Sequence, residues 1–382
     1  MNILHLTPYY APAYAFGGVT RAVEGMARSL AARGHHVTVL TTDALDQRRR
    51  GGSPYETLDS VRVVRVRNAS LLLRGRFNLS TPLGMGEIAA DLLKNADILH
   101  VHEFRTAENL IVTPVAERLD VRMVMSPHGT LTLTTGRSAL KTGWDRLYSP
   151  GVGKRLSAVI ALTAQEADDV RAAWQSFGLK PPRVSVIPNG VALDPLPDPL
   201  PFRVRYGLGD APVCLFMGRL QQRKGIDVLV KAFQRIKSRA ARLVIAGPDE
   251  GMLSAIKPLL DERMIVTGYL EGEDRLGALA AADLFCLPAT GEGLSMAALE
   301  ALAAGLPAIL SPGCNLPEVA QYGAGVIVEP QVEPLAQALD DLLNDVVRRE
   351  AMRLAARRLV HDRFTWESVA EQLEQVYQSA IM

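Results

Sequence analysis

"ADLFCLPATGEGLSMAALEALAAG", residues 282–305, runs from a short apolar, β-rich segment through a Gly-punctuated loop into an Ala- and Leu-rich helix that begins near Ser295. A strand feeding a helix through a short loop is the repeating unit of a parallel α/β sheet, and in such sheets ligands collect beyond the carboxyl ends of the strands. The loop is therefore a candidate site. Glu292 falls in it, and Glu300 falls about a turn and a half into the helix. The amides of Gly293, Leu294 and Ser295 are orphan donors at the positive end of the helix dipole, a place that favours phosphate or developing negative charge. Glu300 is flanked by Ala297, Ala298, Leu299, Ala301, Leu302 and Ala303, too apolar a setting for a carboxylate without a partner. Charge-assisted hydrogen bonds to hydroxyls would suit both acids, a sugar's for Glu292 and a ribose's for Glu300.

The same alternation runs outward along the chain. "NILHLT" reads as a buried strand, 18–34 as an amphipathic helix with Val23, Met26, Ala27 and Leu30 on one face, and "HHVTVLTT" as the next strand. Echoes follow at 96–102, 121–129, 158–163 and 184–190. "DPLPDPLP", at 194–201, cannot continue a helix or a central strand and marks a linker, expected over 194–203. The pattern then restarts with "PVCLFMGRL", "ARLVIAGP", "MIVTGYL", "PAILS" and "GVIVEP". These runs predict two doubly wound parallel α/β bodies, 1–193 and 204–363. A closing helix over 364–382 carries Val369, Leu373, Val376 and Tyr377 on one face and is a candidate either to close the second body or to pack back on the first.

The chain has 382 residues, 48% hydrophobic and 22% charged, enough for two packed cores. Its net charge of +1 hides an asymmetry: 23 Lys+Arg against 16 Asp+Glu over 1–193, and 19 against 25 beyond. The basic half includes "RRR" at 48–50 and "RVVRVRNASLLLRGR" at 62–76, which reads either as a face for an anionic membrane surface or as a solvated strand face. No nucleic-acid motif accompanies these arginines. Three scattered cysteines form neither a disulfide framework nor a metal signature. With no signal-type leader and no clean apolar run of spanning length, a cytoplasmic protein is expected, with peripheral contact at the inner membrane face left open.

Other strand-end loops are equally polar. "PYYAPAYAFGG" packs Tyr9, Tyr10, Tyr14 and Phe16 ahead of Gly17 and Gly18, rings suited to stacking on a sugar or lipid head and glycines suited to an anion at a helix start. "MGRLQQRKG" places Gly218 and Arg219 at a strand end and Lys224 before the next helix, two cations able to clamp a diphosphate by fork and point charge. In "HVHEFR", His102, Glu103 and Arg105 follow a strand and are candidates for contacts to hydroxyls, although surface polarity explains them nearly as well.

Taken together, the E-x7-E text "EGLSMAALE" (Glu292, Glu300), "MGRLQQRKG", "SPHGT" with His128, "VIPNGV" and the double glycine resemble the retaining glycosyltransferases of family 4 over essentially the whole chain. The resemblance implies a GT-B fold, two Rossmann-like domains facing a central cleft, the first binding acceptor and the second a nucleotide sugar. It implies Arg219 and Lys224 on the donor diphosphate as catalytic cations, helped by Gly17, Gly18, Gly218 and the 293–295 amides. Glu300 would hold the nucleotide ribose and Glu292 the transferred sugar, with His128 near its reacting face. Tyr269 and Leu270 would complete the donor site, and Tyr10, Tyr14, Phe16, Glu103 and Arg105 would meet the acceptor. The implied activity is hexosyl transfer from a UDP- or GDP-linked sugar to a glycan or lipid-linked glycan in cell-surface polysaccharide or glycoconjugate synthesis. No cofactor is expected, and no metal, since D-x-D is missing from the sequence. Many relatives carry an aromatic where this chain has Leu294. A sugar-nucleotide epimerase of the same architecture is the alternative, and it would form product without acceptor. A nicotinamide oxidoreductase lacks its G-x-G-x-x-G here, and a non-catalytic binder would not need the retained Glu292, His128, Arg219 and Lys224.

Overall fold

The computed structural model describes residues 1–46, 48–71, 73, 79–131 and 138–382. The chain divides into two compact units: Met1–Gly190 with Trp366–Met382, and Val191–Thr365.

The first unit is built on an eight-stranded sheet: β1 (Asn2–Leu6), β2 (His36–Thr42), β3 (Tyr55–Leu58), β4 (Val61–Val66), β5 (Ile98–His102), β6 (Arg122–Ser126), β7 (Ala158–Ala161) and β8 (Arg183–Val186). The spatial order is β3-β4-β2-β1-β5-β6-β7-β8. Every neighbouring pair is parallel except β3 with β4, so the expected all-parallel sheet carries one antiparallel edge. That hairpin turns on Asp59 and Ser60, with φ of 47° and 66°, the left-handed pair that matches strand twist in a two-residue loop. Its polar text, "YETLDS", lacks the Asn-Gly or Asp-Gly signal.

Successive strand residues point to opposite faces, and two cores follow. Leu4, Leu6, Leu99, Val101, Met123 and Met125 pack on one side. Ile3, Val39, Ile98 and Val124 pack on the other, under the helices Gly18–Ala32 and Trp366–Ile381. The C-terminal helix buries Val369, Leu373, Val376 and Tyr377 there, and Trp366 fills the space that side chains at Gly25 and Gly190 would need.

The second unit carries six parallel strands: β9 (Val213–Met217), β10 (Arg242–Ala246), β11 (Met264–Gly268), β12 (Leu284–Leu287), β13 (Ala308–Leu310) and β14 (Gly325–Ile327), ordered β11-β10-β9-β12-β13-β14. Their central members, "VCLFM" and "LFCL", are buried throughout, as strands covered on both faces must be. The expected linker 194–203 ends differently from its reading, because Leu200–Arg205 is a helix of this unit. Proline is tolerated in a first helical turn, where its missing N–H would have no partner anyway, and Pro201 sits there.

Strand order reverses between β1 and β5 in the first sheet and between β9 and β12 in the second. At such switch points the loops part and leave room for a ligand.

Candidate functional site

In the second unit the loops after β9 and β12 are laced together. Thr290 N–H donates to Arg223 O at 2.8 Å. Gly225 has φ +68°, and a Cβ there would lie 2.1 Å from Pro288 O, so only glycine allows this approach. From the other side Glu292 N–H donates to Gly313 O (2.8 Å), and Asn315 Nδ2 donates to Glu292 O (2.6 Å). The backbone of Glu292 is thereby fixed on both flanks.

Its side chain is held as firmly. Lys224 Nζ donates to Glu292 Oε2 at 2.7 Å, and Lys224 is only 8% exposed. Glu292 Oε1 is buried with no hydrogen-bond partner among the described residues. A half-satisfied buried carboxylate is costly, and a ligand hydroxyl at Oε1 would remove the cost. Next in the chain, Ser295 caps the helix Met296–Ala303, its hydroxyl accepting from Ala298 N–H at 3.4 Å. None of the amides of Gly293, Leu294 and Ser295 donates to an acceptor among the described residues. Three free donors, an ammonium and an open carboxylate oxygen thus lie within one loop and its neighbour.

The two cations expected to clamp a diphosphate each carry a carboxylate partner: Lys224 pairs with Glu292, and Arg219 Nη1 lies 3.2 Å from Glu250 Oε1, with Gln221 donating to the same carboxylate. Glu250 was not singled out in the sequence, because nothing local ties it to Arg219; the tie is the pairing of β9 with β10, whose following loops meet at a Leu220–Asp249 bridge. Glu300 does have the partner its apolar helix demanded. That partner is Arg275, 2.8 Å away, from the helix Gly272–Ala281. Tyr269 and Leu270 follow β11, with Tyr269 42% exposed and Leu270 buried, and Leu294 is buried beside Glu292 in sequence.

In the first unit the period of two puts His5 of β1 and His100 and His102 of β5 on one face of the sheet, the face covered by the C-terminal helix. His128 follows β6 with φ +54°. His128 Nε2 lies 3.0 Å from His102 Nδ1, and His102 Nε2 lies 2.8 Å from His5 Nδ1. His100 meets the Tyr377 hydroxyl at 2.7 Å and the Ser126 hydroxyl at 2.9 Å. Burial pushes His5 down to about 3 and His128 to about 4, and holds His100 and His102 well below the ordinary value, so all four rings are neutral near pH 7. Glu166, whose carboxyl is pushed up by burial, accepts from Gly129 and Leu162 N–H and thereby pins the turn after His128. Neither Glu166 nor the histidine array was evident as a site in the sequence, although the i, i+2 spacing in "HVH" is a face signal.

The aromatic and basic candidates of this unit fare unevenly. Tyr10 is a core residue, 2% exposed, and cannot stack on an acceptor. The Tyr9 and Phe16 rings pack on each other, centroids 3.8 Å apart. Tyr14 donates to Glu24 (2.9 Å) under the Arg21 guanidinium. Gly17, at φ +103°, leads into the helix that Gly18 opens. Arg105 is no free acceptor contact: it forms a fork on Asp145 at 2.6 and 2.7 Å and donates to Thr130 O and Leu131 O, pinning the chain beyond His128. Glu103, at φ +60°, stands at the end of β5. The basic face also dissolves in part, since Arg65 is buried on Glu56 and Ala11 O, while Arg50 is spent on Asn68 O. Leu72 and 74–76 lie outside the described residues. Among the described residues no helix is long and apolar enough to cross a membrane.

Two doubly wound units with such groups at their switch points are the architecture of GT-B glycosyltransferases. Residues 16–195 match the model described as Glycosyltransferase Family 4, and 211–345 that described as Glycosyl transferases group 1. A GDP-mannose-dependent monoacylated alpha-(1-6)-phosphatidylinositol monomannoside mannosyltransferase of Corynebacterium glutamicum is 33% identical over 261 residues, 63% of this chain and 68% of that protein. Glycogen synthase of Mycobacterium tuberculosis is 28% identical, covering 100% of this chain and 95% of that one. The Anabaena protein solved with UDP-glucose superposes with a TM-score of 0.76 at 18% identity, over 99% of this chain and 100% of that one. The chain belongs to glycosyltransferase family 4.

Proposed function

We propose that this glycosyltransferase moves a hexose from a UDP- or GDP-linked donor to a glycan or lipid-linked glycan, retaining the anomeric configuration, in the synthesis of a cell-surface polysaccharide or glycoconjugate. Printed names among its relatives include a glycogen synthase, a GDP-mannose-dependent mannosyltransferase and a fold neighbour bound to UDP-glucose, which supports this range of donors and acceptors. The observation that carries the reading is the buried Lys224–Glu292 pair with its open Oε1 beside the uncommitted 293–295 amides.

In this reading the diphosphate sits on those amides and on Lys224, with Arg219 exchanging Glu250 for a phosphate oxygen. An ion pair as exposed as Arg219–Glu250 is worth about 0–1 kcal/mol, so the exchange is cheap. Glu292 Oε1 accepts from a sugar hydroxyl while Oε2 keeps the ammonium in place. Glu300 accepts from the ribose, Gly17, Gly18 and Gly218 give the backbone room near the donor, and Tyr269 and Leu270 flank the base. His128 meets the sugar near its reacting carbon. As the glycosidic bond breaks, charge grows on the leaving phosphate, and fixed cations and amides stabilise it without reorganisation. Such a complement of donors needs no divalent metal. Tyr14, Phe16 and Glu103 remain as acceptor candidates.

Thermal unfolding against a panel of sugar nucleotides tests the donor, since a ligand of the folded state alone raises the transition. Transfer is then followed with that donor and candidate acceptors, and the product anomer is read by NMR. Inverted product sinks retention, consumption of donor to an isomeric nucleotide sugar without acceptor favours epimerisation, and loss of turnover in chelator sinks the metal-free reading.

A further inference from the structure

Three imidazoles of the first unit meet nitrogen to nitrogen. The ring centroids of His5 and His102 are 5.1 Å apart at 7° between planes, and those of His102 and His128 are 5.2 Å apart at 26°. With N···N distances of 2.8 and 3.0 Å, each separation is one hydrogen bond plus two ring radii, so the rings are joined edge to edge. Nitrogens of His5, His100 and His102 also lie within 4.8 Å of one another. A metal is the poorer reading. Two nitrogens on tetrahedral zinc stand about 3.3 Å apart with lone pairs converging on the ion, whereas His5 and His102 are closer and aimed at each other. Both nitrogens of His100 are taken up by hydroxyls.

A neutral imidazole offers one N–H and one lone pair. In this chain each ring's choice therefore dictates the next: all three protons are on Nδ1, or all three are on Nε2. The ends decide between them. His5 Nε2 and His128 Nδ1 are both buried without a partner among the described residues. An N–H sealed from any acceptor is worse than an unused lone pair. Both nitrogens are sealed, but His5 is 0% exposed inside the sheet, while His128 stands in the loop beyond the strand end with the residue 9% exposed, so of the two only His128 Nδ1 is placed where a ligand settling on the loop can bring an acceptor to it. The all-Nδ1 state leaves the bare lone pair at His5 and the N–H at His128.

We propose that His5 and His102 are positioning residues that lock His128 as the Nδ1–H tautomer, a hydrogen-bond donor to an oxygen of the transferred sugar. The role of the lock rests on the function proposed above; the lock itself does not. The chain ends blindly at His5, so it orients a donor and carries no proton through.

Long-range ¹H–¹⁵N spectra of the full-length protein labelled at histidine read each tautomer directly. Nδ1–H at His5, His102 and His128 is expected, and Nε2–H or a mixture at His128 overturns the proposal. His5→Phe removes the N–H that orders the chain, while His5→Asn places an amide N–H where Nδ1 was. His5→Phe is expected to release His128 into mixed tautomers and to lower kcat/KM about tenfold, the worth of one misdirected hydrogen bond, and His5→Asn to recover both. Loss of activity in His5→Phe with the tautomer unchanged shows a merely structural role and overturns the proposal. If instead the lock is seen in the spectra but His128→Ala transfers sugar at the wild-type rate, the sugar contact fails and the assignment of a donor role falls with it, while the tautomer chain stands.

Discussion

At the ends of β1, β5 and β6 a chain of buried neutral rings is hydrogen-bonded one to the next, whereas at the ends of β9 and β12 the polar groups are formal charges held in pairs, Lys224–Glu292 buried and Arg219–Glu250 partly exposed. The two regions occupy equivalent places, the switch points of two sheets of similar winding. Topology thus fixes where chemistry can sit and leaves its kind to the side chains. Neutral rings can be buried without a counter-charge, and what they offer is direction: a donor here, a lone pair there. Ion pairs offer exchange, because a carboxylate can give up its cation to a phosphate and the site remains near neutral. The first arrangement suits orienting a sugar, and the second suits receiving and releasing a diphosphate.

The sharpest way to break this contrast is on the ionic side. Lys224→Ala is expected to lower kcat/KM by roughly two to three orders of magnitude, the usual cost of losing a group that meets charge in the transition state. Steady-state kinetics with the identified donor check it, and a change of less than threefold would remove Lys224 from the mechanism. Stability separates the pair's two duties. A single removal leaves a buried charge unpaired and costs about 3–5 kcal/mol, while an apolar replacement of both partners is often neutral. Lys224→Met with Glu292→Leu is thus expected to unfold near the wild-type temperature and yet be inactive; a double variant as unstable as the singles would show that the pair is needed by the fold.

Acid probes the neutral side. The four buried histidines have folded values below the ordinary 6.5, near 3 for His5 and 4 for His128. The unfolded chain therefore binds more protons once the pH drops below about 6.5, and stability falls as the pH falls from there toward 4, each ring adding about 1.4 kcal/mol per pH unit. Above 6.5 the contribution is complete and flat. Hydrogen exchange between pH 7 and 5.5 is expected to show β1, β5, β6 and the C-terminal helix losing protection while β9 and β12 hold theirs. Equal loss in both units would mean that the rings do not set the acid limit of the first.

Strands and switch points were legible in the sequence because strands buried on both faces spell themselves as apolar runs, as "VCLFM" and "LFCL" do. Glu292 and Lys224 were legible for the same reason, as charge standing where apolar text breaks off. Partners were not. Glu250, Arg275 and Glu166 reach their places through sheet order, and no local spacing announces contacts 31, 25 and 37 residues away. Tyr10 misled because an aromatic in a polar loop looks the same whether it faces a ligand or the core, and Arg65 because strand alternation does not say that Glu56 of the neighbouring β3 and Ala11 O of a distant loop would enclose it. His5 reads as part of a buried strand and His102 as a candidate for hydroxyl contacts, whereas both are fully buried and their meaning lies in a chain of three rings drawn from three strands' ends.

Glu300 stands between the two regimes, an ionic group whose proposed task is directional. Its pairing with Arg275 at 2.8 Å is half-sheltered, both side chains being about 15% exposed. If the carboxylate exists only to neutralise Arg275, Glu300→Gln lowers stability and leaves the kinetics alone. If it also accepts from the ribose, the amide keeps an acceptor but loses its charge, and the difference between a charge-assisted and a neutral hydrogen bond is on the order of 1 kcal/mol. The expected result is a several-fold rise in donor KM with kcat nearly unchanged, because ribose binding is the same in ground and transition states. Pairing the kinetics with a 2′-deoxyribose donor sharpens the test: the variant and wild type should then differ little, since the hydroxyl that Glu300 would hold is gone. A KM penalty that persists with the deoxy donor would mean that Glu300 affects donor binding without holding that hydroxyl, and unchanged kinetics with either donor would assign it to Arg275 alone.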